Sequence, residues 1–395
     1  MKIFFFHLMP YEMLDLSYAE HHNSAWVTLT NAHYDPRQGH KLYERYIGEL
    51  TLADELGFDG VCVNEHHQTA YGLMPAPNLI AAALTRTTKR AKIAVLGRAL
   101  PLVHSPVAIA EELAMLDQLS NGRLIAGFVR GVGSEYFANS INPTHSHTRF
   151  YEAHDLIMRA WQEIGPFPFR GRHYEFEYVN LWPRPLQTPH PPIWLPSQGS
   201  AETVEWGAAP ERKYTYLQTF SPIQLAKRAF DYYREVAQRH GYQAQPSQLG
   251  WSVPTYVAET DEIARREAKP HIEAFFTKFL RMPLEMRLPP GYSSVASIKG
   301  LIETRYKIRS AATTIDSLID LGMAVVGSPK TVRELLAQRQ QELGIGYLIA
   351  MLQMGTLPAE LTEKNLRLFA AEVMPHLRGL GEDAPSHASA MVGAA

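Results

Sequence analysis

"KIAVLGRALPLVHSPVAIAEELAMLDQLSNGRLIAGFVRG", residues 92–131, contains one complete strand–helix–strand unit. "KIAVLGRAL" is an apolar run of strand length with little alternation. Ser105 is placed to cap the helix that follows, and Pro106 suits its first position, where a missing N–H costs nothing. "RLIAGFVRG" is a second apolar run. Strands that do not alternate are apolar on both faces, and a helix between them forces a crossover, so this stretch predicts parallel, doubly covered strands.

The same rhythm extends in both directions. Strand runs occur at "KIFFFHL" (2–8), "FDGVCVNE" (58–65), "PIWLPS" (192–197), "KYTYLQT" (213–219), "GWSVPTYVAET" (250–260) and "GYLIAMLQMG" (346–355). Helical periodicity follows each, as at about Lys41 to Leu56, where Leu42, Tyr46, Leu50 and Ala53 share a face and Gly57 ends the helix. A helix is expected over 261–280, with Pro270 as a kink. Eight alternations predict an α/β protein, a (β/α)8 TIM barrel forming one domain over 1–380. The aromatic, proline-rich stretch Phe167 to Pro192 reads as a hairpin or extended loop. Residues 281–313 read as a long lid-like insertion after strand seven, and 381–395 as a disordered tail.

Composition narrows the functional classes. Lys and Arg number 38 against 40 Asp and Glu, and no long basic run occurs, so no nucleic-acid or membrane-surface partner is expected. No run approaches the ~20 apolar residues of a membrane helix, and the start lacks the features of a signal peptide. The single cysteine, Cys62, cannot form an internal disulfide. A cytoplasmic location is expected.

Catalytic groups of this fold emerge at the C-terminal ends of strands. There the second run ends in Glu65-His66-His67 and the fourth in Arg130. Adjacent histidines behind a glutamate fit a general base with an orienting partner, a structural hydrogen bond, or metal ligands. Metal is the weakest reading, because the i,i+4 spacing of helical zinc sites is missing and no cysteine helps; His145, His147 and His154 are a second, equally weak metal candidate. Arg130 is either an ion-paired rim residue or an anion clamp. Gly199, Ser200 and Thr203 form a loop-to-helix junction that reads as an ordinary N-cap or as a phosphate site.

Taken together, "FDGVCVNEHH", "LPLVHSPVAIAEELAMLDQLSNGRLIAGFVRG", "PPIWLPSQGSAETVEWGAA" and "LFAAEVMPHL" resemble the bacterial luciferase-like flavin-dependent monooxygenases, most closely the luciferase α-subunit type, from the first strand to about residue 378. The resemblance implies reduced FMN (FMNH2) at the C-terminal mouth, with O2 as co-substrate and a C4a-hydroperoxyflavin that oxygenates a small, apolar organic substrate. Residue by residue, it implies that His66 is catalytic with Glu65 and His67 beside it. Leu96 and Gly97 would lie under the isoalloxazine at a non-proline cis peptide, with Val132 against the ring. Arg130, Gly199, Ser200 and Thr203 would lie around the phosphate. Phe5, Phe6, Leu73, Met74 and Trp194 read either as the apolar surroundings of the mouth or, like most such side chains in strands, as barrel core. Gly199 replaces a glutamate and Val129 a reactive cysteine of the α-type, which argues against light emission. "RGVGSEY" is only a partial dinucleotide fingerprint, so a separate NAD(P)H:flavin reductase is the expected source of reduced flavin, and a homodimer through helices two and three is expected. Two other readings stay open: a deazaflavin-dependent oxidoreductase on the same barrel, and a non-catalytic flavin-binding protein.

Overall fold

The computed structural model describes residues 1–293 and 313–384. All eight apolar runs form parallel strands: β1 (Lys2–Phe6), β2 (Gly60–Val63), β3 (Lys92–Ala99), β4 (Leu124–Val129), β7 (Ile193–Ser197), β8 (Thr215–Thr219), β9 (Leu249–Val257) and β11 (Tyr347–Met351). They pair in the ring β1-β2-β3-β4-β7-β8-β9-β11, and β11 returns to β1 with Tyr347 opposite Lys2. The sheet therefore closes into the barrel that the alternation predicts. The excursion after the fourth helix is an antiparallel hairpin, β5 (Phe167–Arg170) with β6 (Glu175–Val179).

One strand and two helices lie in a region where sequence periodicity gave no assignment. The C-terminal half of β9 pairs with β10 (Val325–Gly327), which the helices Ile315–Asp320 and Pro329–Leu343 flank. Of the stretch expected to form a lid, residues 294–312 lie outside the described residues, as do 385–395 of the expected tail. Residues 381–384 are not loose: Asp383 accepts bonds from the Ser247 backbone N–H at 2.8 Å and hydroxyl at 2.6 Å. The helix containing Pro270 is Asp261–Ala274, and it runs on into a π-turn over Phe275–Phe279.

The N-terminal half of the barrel is filled. Phe4, Trp194 and Tyr347 come from β1, β7 and β11 and meet inside, with Phe4–Trp194 centroids 5.0 Å apart and Trp194–Tyr347 4.8 Å apart. Of the two readings open for Trp194, these contacts decide for core, and Phe5 and Phe6 are buried as well. Burying rings of this size favours the closed barrel by ~2 kcal/mol or more each. It also leaves the C-terminal end as the place for a ligand.

Glycine sets the spacing beneath that end. A Cβ on Gly97 would stand 2.4 Å from the Gly127 carbonyl carbon, and one on Gly127 would stand 2.1 Å from the Val95 oxygen. Side chains at either position would push β3 and β4 apart. The Leu96–Gly97 peptide within β3 is cis, and the β3–β4 register shifts between Val95 and Arg98.

Candidate active site

Because β2, β3 and β4 are neighbours in the ring, the polar residues following each apolar run converge on one sector of the rim. His66 Nδ1 lies 2.9 Å from Oε1 of Glu135. Glu135 stands in the first turn of the short helix Gly133–Ala138, is 1 % exposed, and accepts the Val132 backbone N–H at 2.7 Å through Oε2. With a carboxylate as acceptor, Nδ1 carries the ring hydrogen and Nε2 presents its lone pair. The rings of Trp26 and Tyr71 meet His66 edge-on at 5.0 and 4.9 Å, which fixes its plane.

His67 has a different environment. Its Nε2 lies 2.9 Å from Glu65 Oε1, while Glu65 Oε2 pairs with Arg98 Nη1 at 2.9 Å and accepts the Ala99 N–H at 3.3 Å. Burial pulls the His67 pKa down, but the hydrogen bond to Glu65 and the charges of Glu65 and Glu135 outweigh it and leave the group above its ordinary value. The sequence left open which histidine Glu65 serves. Glu65 holds His67, and His66 belongs to Glu135, 69 residues along the chain.

Further round the rim, Arg130 Nη1 donates to the Tyr292 carbonyl at 3.0 Å and to Ser146 Oγ at 3.2 Å, and its guanidinium lies 4.5 Å from the Tyr292 ring centre. The Tyr292 hydroxyl donates to the Gly131 carbonyl at 2.6 Å. Beyond β7, Gly199 has φ +95°, and Ser200 caps the helix Ala201–Gly207 by accepting the Thr203 N–H at 3.3 Å. Ser200 also donates its hydroxyl to Glu202 Oε2 at 2.9 Å. Burial and the positive charge of Arg130 hold the His147 pKa down at about 4, and Glu202 acts on it in the opposite sense. The Arg130 and Ser200 sectors therefore share a common neighbourhood.

Three buried polar atoms in the β2–β4 sector have no hydrogen-bond partner: Asn64 Oδ1, Arg98 Nε and Ser134 Oγ. Native proteins leave few such atoms, and here an acceptor, a donor and a hydroxyl lie next to the His66 and His67 pairs. That set suits the polar edge of a planar heterocycle. The candidate metal-ligand histidines go separate ways: His145 packs against the His173 ring, and His154 bonds the Tyr214 hydroxyl and Asp155. Among the described residues no group of three His, Cys, Asp or Glu side chains is placed to hold a metal. A concavity of about 690 Å³ lined by Lys2, Asp59, Arg90 and Arg378 opens at the opposite, N-terminal end, away from every histidine pair described above.

Sequence reasoning missed Glu135, Arg98, Trp26 and Tyr71. Only Glu135 had a local signal, as an acidic residue in the first turn of a helix directly after the Arg130 strand end.

Fold and site together define a (β/α)8 enzyme whose histidine–carboxylate pairs sit at the C-terminal rim. The chain belongs to the luciferase-like monooxygenase family, whose model matches residues 23–346. It is 31% identical over 242 residues to the alkanal monooxygenase beta chain of Vibrio harveyi, covering 60% of this chain and 73% of that one. It is also 31% identical over 164 residues to the oxygenase component of the flavin-dependent trigonelline monooxygenase of Acinetobacter baylyi, covering 41% and 45% of the two chains. Among solved structures, the monooxygenase RslO1 from Streptomyces bottropensis superposes with a TM-score of 0.69 at 25% identity over 95% of this chain and 99% of that one. An F420-dependent secondary alcohol dehydrogenase shares the fold at TM-score 0.62 and 15% identity, over 95% and 99%. No helix among the described residues is long and apolar enough to cross a membrane.

Proposed function

We propose that this chain binds reduced FMN across the β2–β4 rim and the Ser200 turn, and uses it with O2 to oxygenate a small, largely apolar substrate. The observation that carries the proposal is the His66–Glu135 pair, a ring fixed in plane and tautomer with its Nε2 left for proton transfer. Bound reduced flavin supplies the electrons that activate O2. His66 holds or moves the proton, a role suited to a group with an unperturbed pKa near 6.5. Glu65, His67 and Arg98 fix the β2 end beside it. Leu96, Gly97 and Val132 form the surface on which the ring rests, and Asn64, Arg98 and Ser134 offer their unpartnered atoms to its polar edge. Arg130, Ser200, Thr203 and the Gly199 turn receive the phosphate.

Reduced flavin comes from a separate reductase, a reading supported by the name of the trigonelline relative, an oxygenase component. We also propose a homodimer through the helices Pro77–Thr87 and Pro106–Leu119, where Leu79, Met115 and Leu119 are exposed; a monomeric mass in sedimentation would count against it.

The decisive experiment mixes the enzyme with photoreduced FMN, O2 and a substrate panel in a single turnover. His66→Ala is expected to lower product yield by about 100-fold or more while leaving the FMN Kd within about twofold, as for loss of a general acid–base group. Normal yield in that variant would refute the assignment. Turnover with reduced F420 and none with reduced FMN would favour the deazaflavin reading instead.

A further inference from the structure

Tyr71 is one of the two rings that fix the plane of His66, but its hydroxyl has been given no role. It is 2 % exposed, and its backbone N–H is tied to Thr69 Oγ1 at 3.0 Å. Two rings lie nearly parallel to it: Trp26 at 4.7 Å and 26°, and Phe275 of the π-turn at 5.8 Å and 30°. The His66 ring meets it near-perpendicular at 4.9 Å. Trp26 is itself anchored, donating its indole N–H to the Phe279 carbonyl at 2.9 Å. Among the described residues the Tyr71 hydroxyl makes no hydrogen bond. The ring is buried and held by its neighbours, but the hydroxyl oxygen is not among the buried atoms left without a partner, so it is the accessible end of the side chain and can donate to a ligand.

The surroundings select that partner. Burial, with the Glu135 carboxylate adding to it, pushes the Tyr71 pKa far above its ordinary value, so the phenol keeps its hydrogen and acts as a donor. Neighbouring rings already pack against Tyr71, which leaves the hydroxyl as the part of it that a ligand can use. Glu135 disfavours an anion, so the acceptor is a neutral oxygen on an otherwise apolar molecule. We propose that Tyr71 is a specificity-determining residue that donates its hydroxyl hydrogen to a neutral carbonyl-type oxygen of the substrate and holds that oxygen beside His66. The proposal rests on the flavin-monooxygenase reading only for the identity of the reaction. The recognition itself is a binding property.

The test uses the full chain, with and without FMN, and three probes of similar shape: acetophenone labelled with 13C at its carbonyl, ethylbenzene and benzoate. Tyr71→Phe keeps the ring and its neighbours and removes one oxygen. It is expected to weaken acetophenone by roughly three- to tenfold, the net value of one neutral hydrogen bond, and to leave ethylbenzene within about twofold. Comparing the two probes across the substitution cancels the difference in their hydration. The carbonyl 13C resonance of bound acetophenone should lie downfield in the wild-type complex and return toward its free position in the variant, and benzoate should bind more weakly than acetophenone to both. Equal losses for acetophenone and ethylbenzene, or an unchanged carbonyl shift, would overturn the proposal. FMN affinity measured in the same samples tests the cofactor reading separately: loss of FMN binding with the probe pattern intact would sink that reading and leave Tyr71's role standing.

Discussion

The part of the rim that holds His66 and His67 and the part that holds Arg130 and Ser200 are built differently. In the first, both carboxylates are buried, each holds one histidine, and each also accepts a backbone N–H. In the second, Ser200 is tied to its neighbour Glu202, and Arg130 is engaged by Tyr292. The groups that would handle protons are thus set before any ligand arrives. Two of the groups assigned to the phosphate, Arg130 Nη1 and the Ser200 hydroxyl, already make contacts with neighbouring residues. Preorganisation is concentrated where geometry governs a rate, and exchangeable contacts where charge governs affinity.

The largest effect is expected at Glu65, the most rigid point of the rim. Glu65→Ala strands the Arg98 guanidinium and His67 without their shared carboxylate, and removing one partner of a buried pair costs about 3–5 kcal/mol. Urea denaturation should show that loss. A change below ~1 kcal/mol would mean that the sector is not held by its charges.

Arg130→Ala comes next. It should weaken FMN by about 10- to 100-fold, the range for a charge-assisted hydrogen bond, while riboflavin binding changes by less than about twofold. Equal weakening of the two would remove Arg130 from the phosphate site.

A smaller, pH-dependent effect tests the His67–Glu65 pair. A histidine whose folded pKa lies above its unfolded value stabilises the fold fully below the unfolded pKa, near 6.5, and loses that contribution as pH rises through the folded pKa. The Tm advantage of wild type over His67→Gln should therefore be largest near pH 6 and shrink toward pH 8.5. An advantage that grows with pH would contradict the raised pKa.

The smallest effect has the opposite sign. Glu202→Gln removes a partly exposed carboxylate beside the Ser200 hydroxyl and should tighten FMN by about two- to threefold, the scale of a solvent-screened charge. Weaker FMN binding would mean that Glu202 organises the turn instead of competing with the phosphate.

The eight strand runs were legible because strands covered on both faces must be apolar throughout. β10 was not legible: "VVG" is three residues long, and it pairs only with the outer half of β9. Trp194 read equally well as core or as mouth, since its strand position does not say which layer of the barrel it occupies. It is core because Phe4 and Tyr347 reach it across the interior.

At the site, residue type and strand-end position were enough to single out His66, Glu65, His67 and Arg130, because a charged or titratable group ending an apolar strand has few structural reasons to be there. The pairing of those groups was not in the sequence. Adjacency favours Glu65 for His66, yet neighbouring side chains on an extended segment point apart, and the partner His66 receives comes from the helix after β4. The sequence by itself determined the barrel, its family and which strand ends carry chemistry, because these follow from local periodicity and residue type. Only the tertiary structure decided which carboxylate holds which histidine, which aromatic rings are core and which flank His66, and that the phenol of Tyr71 lies beside His66 without a partner. Those depend on distances between segments that only closure of the barrel brings together.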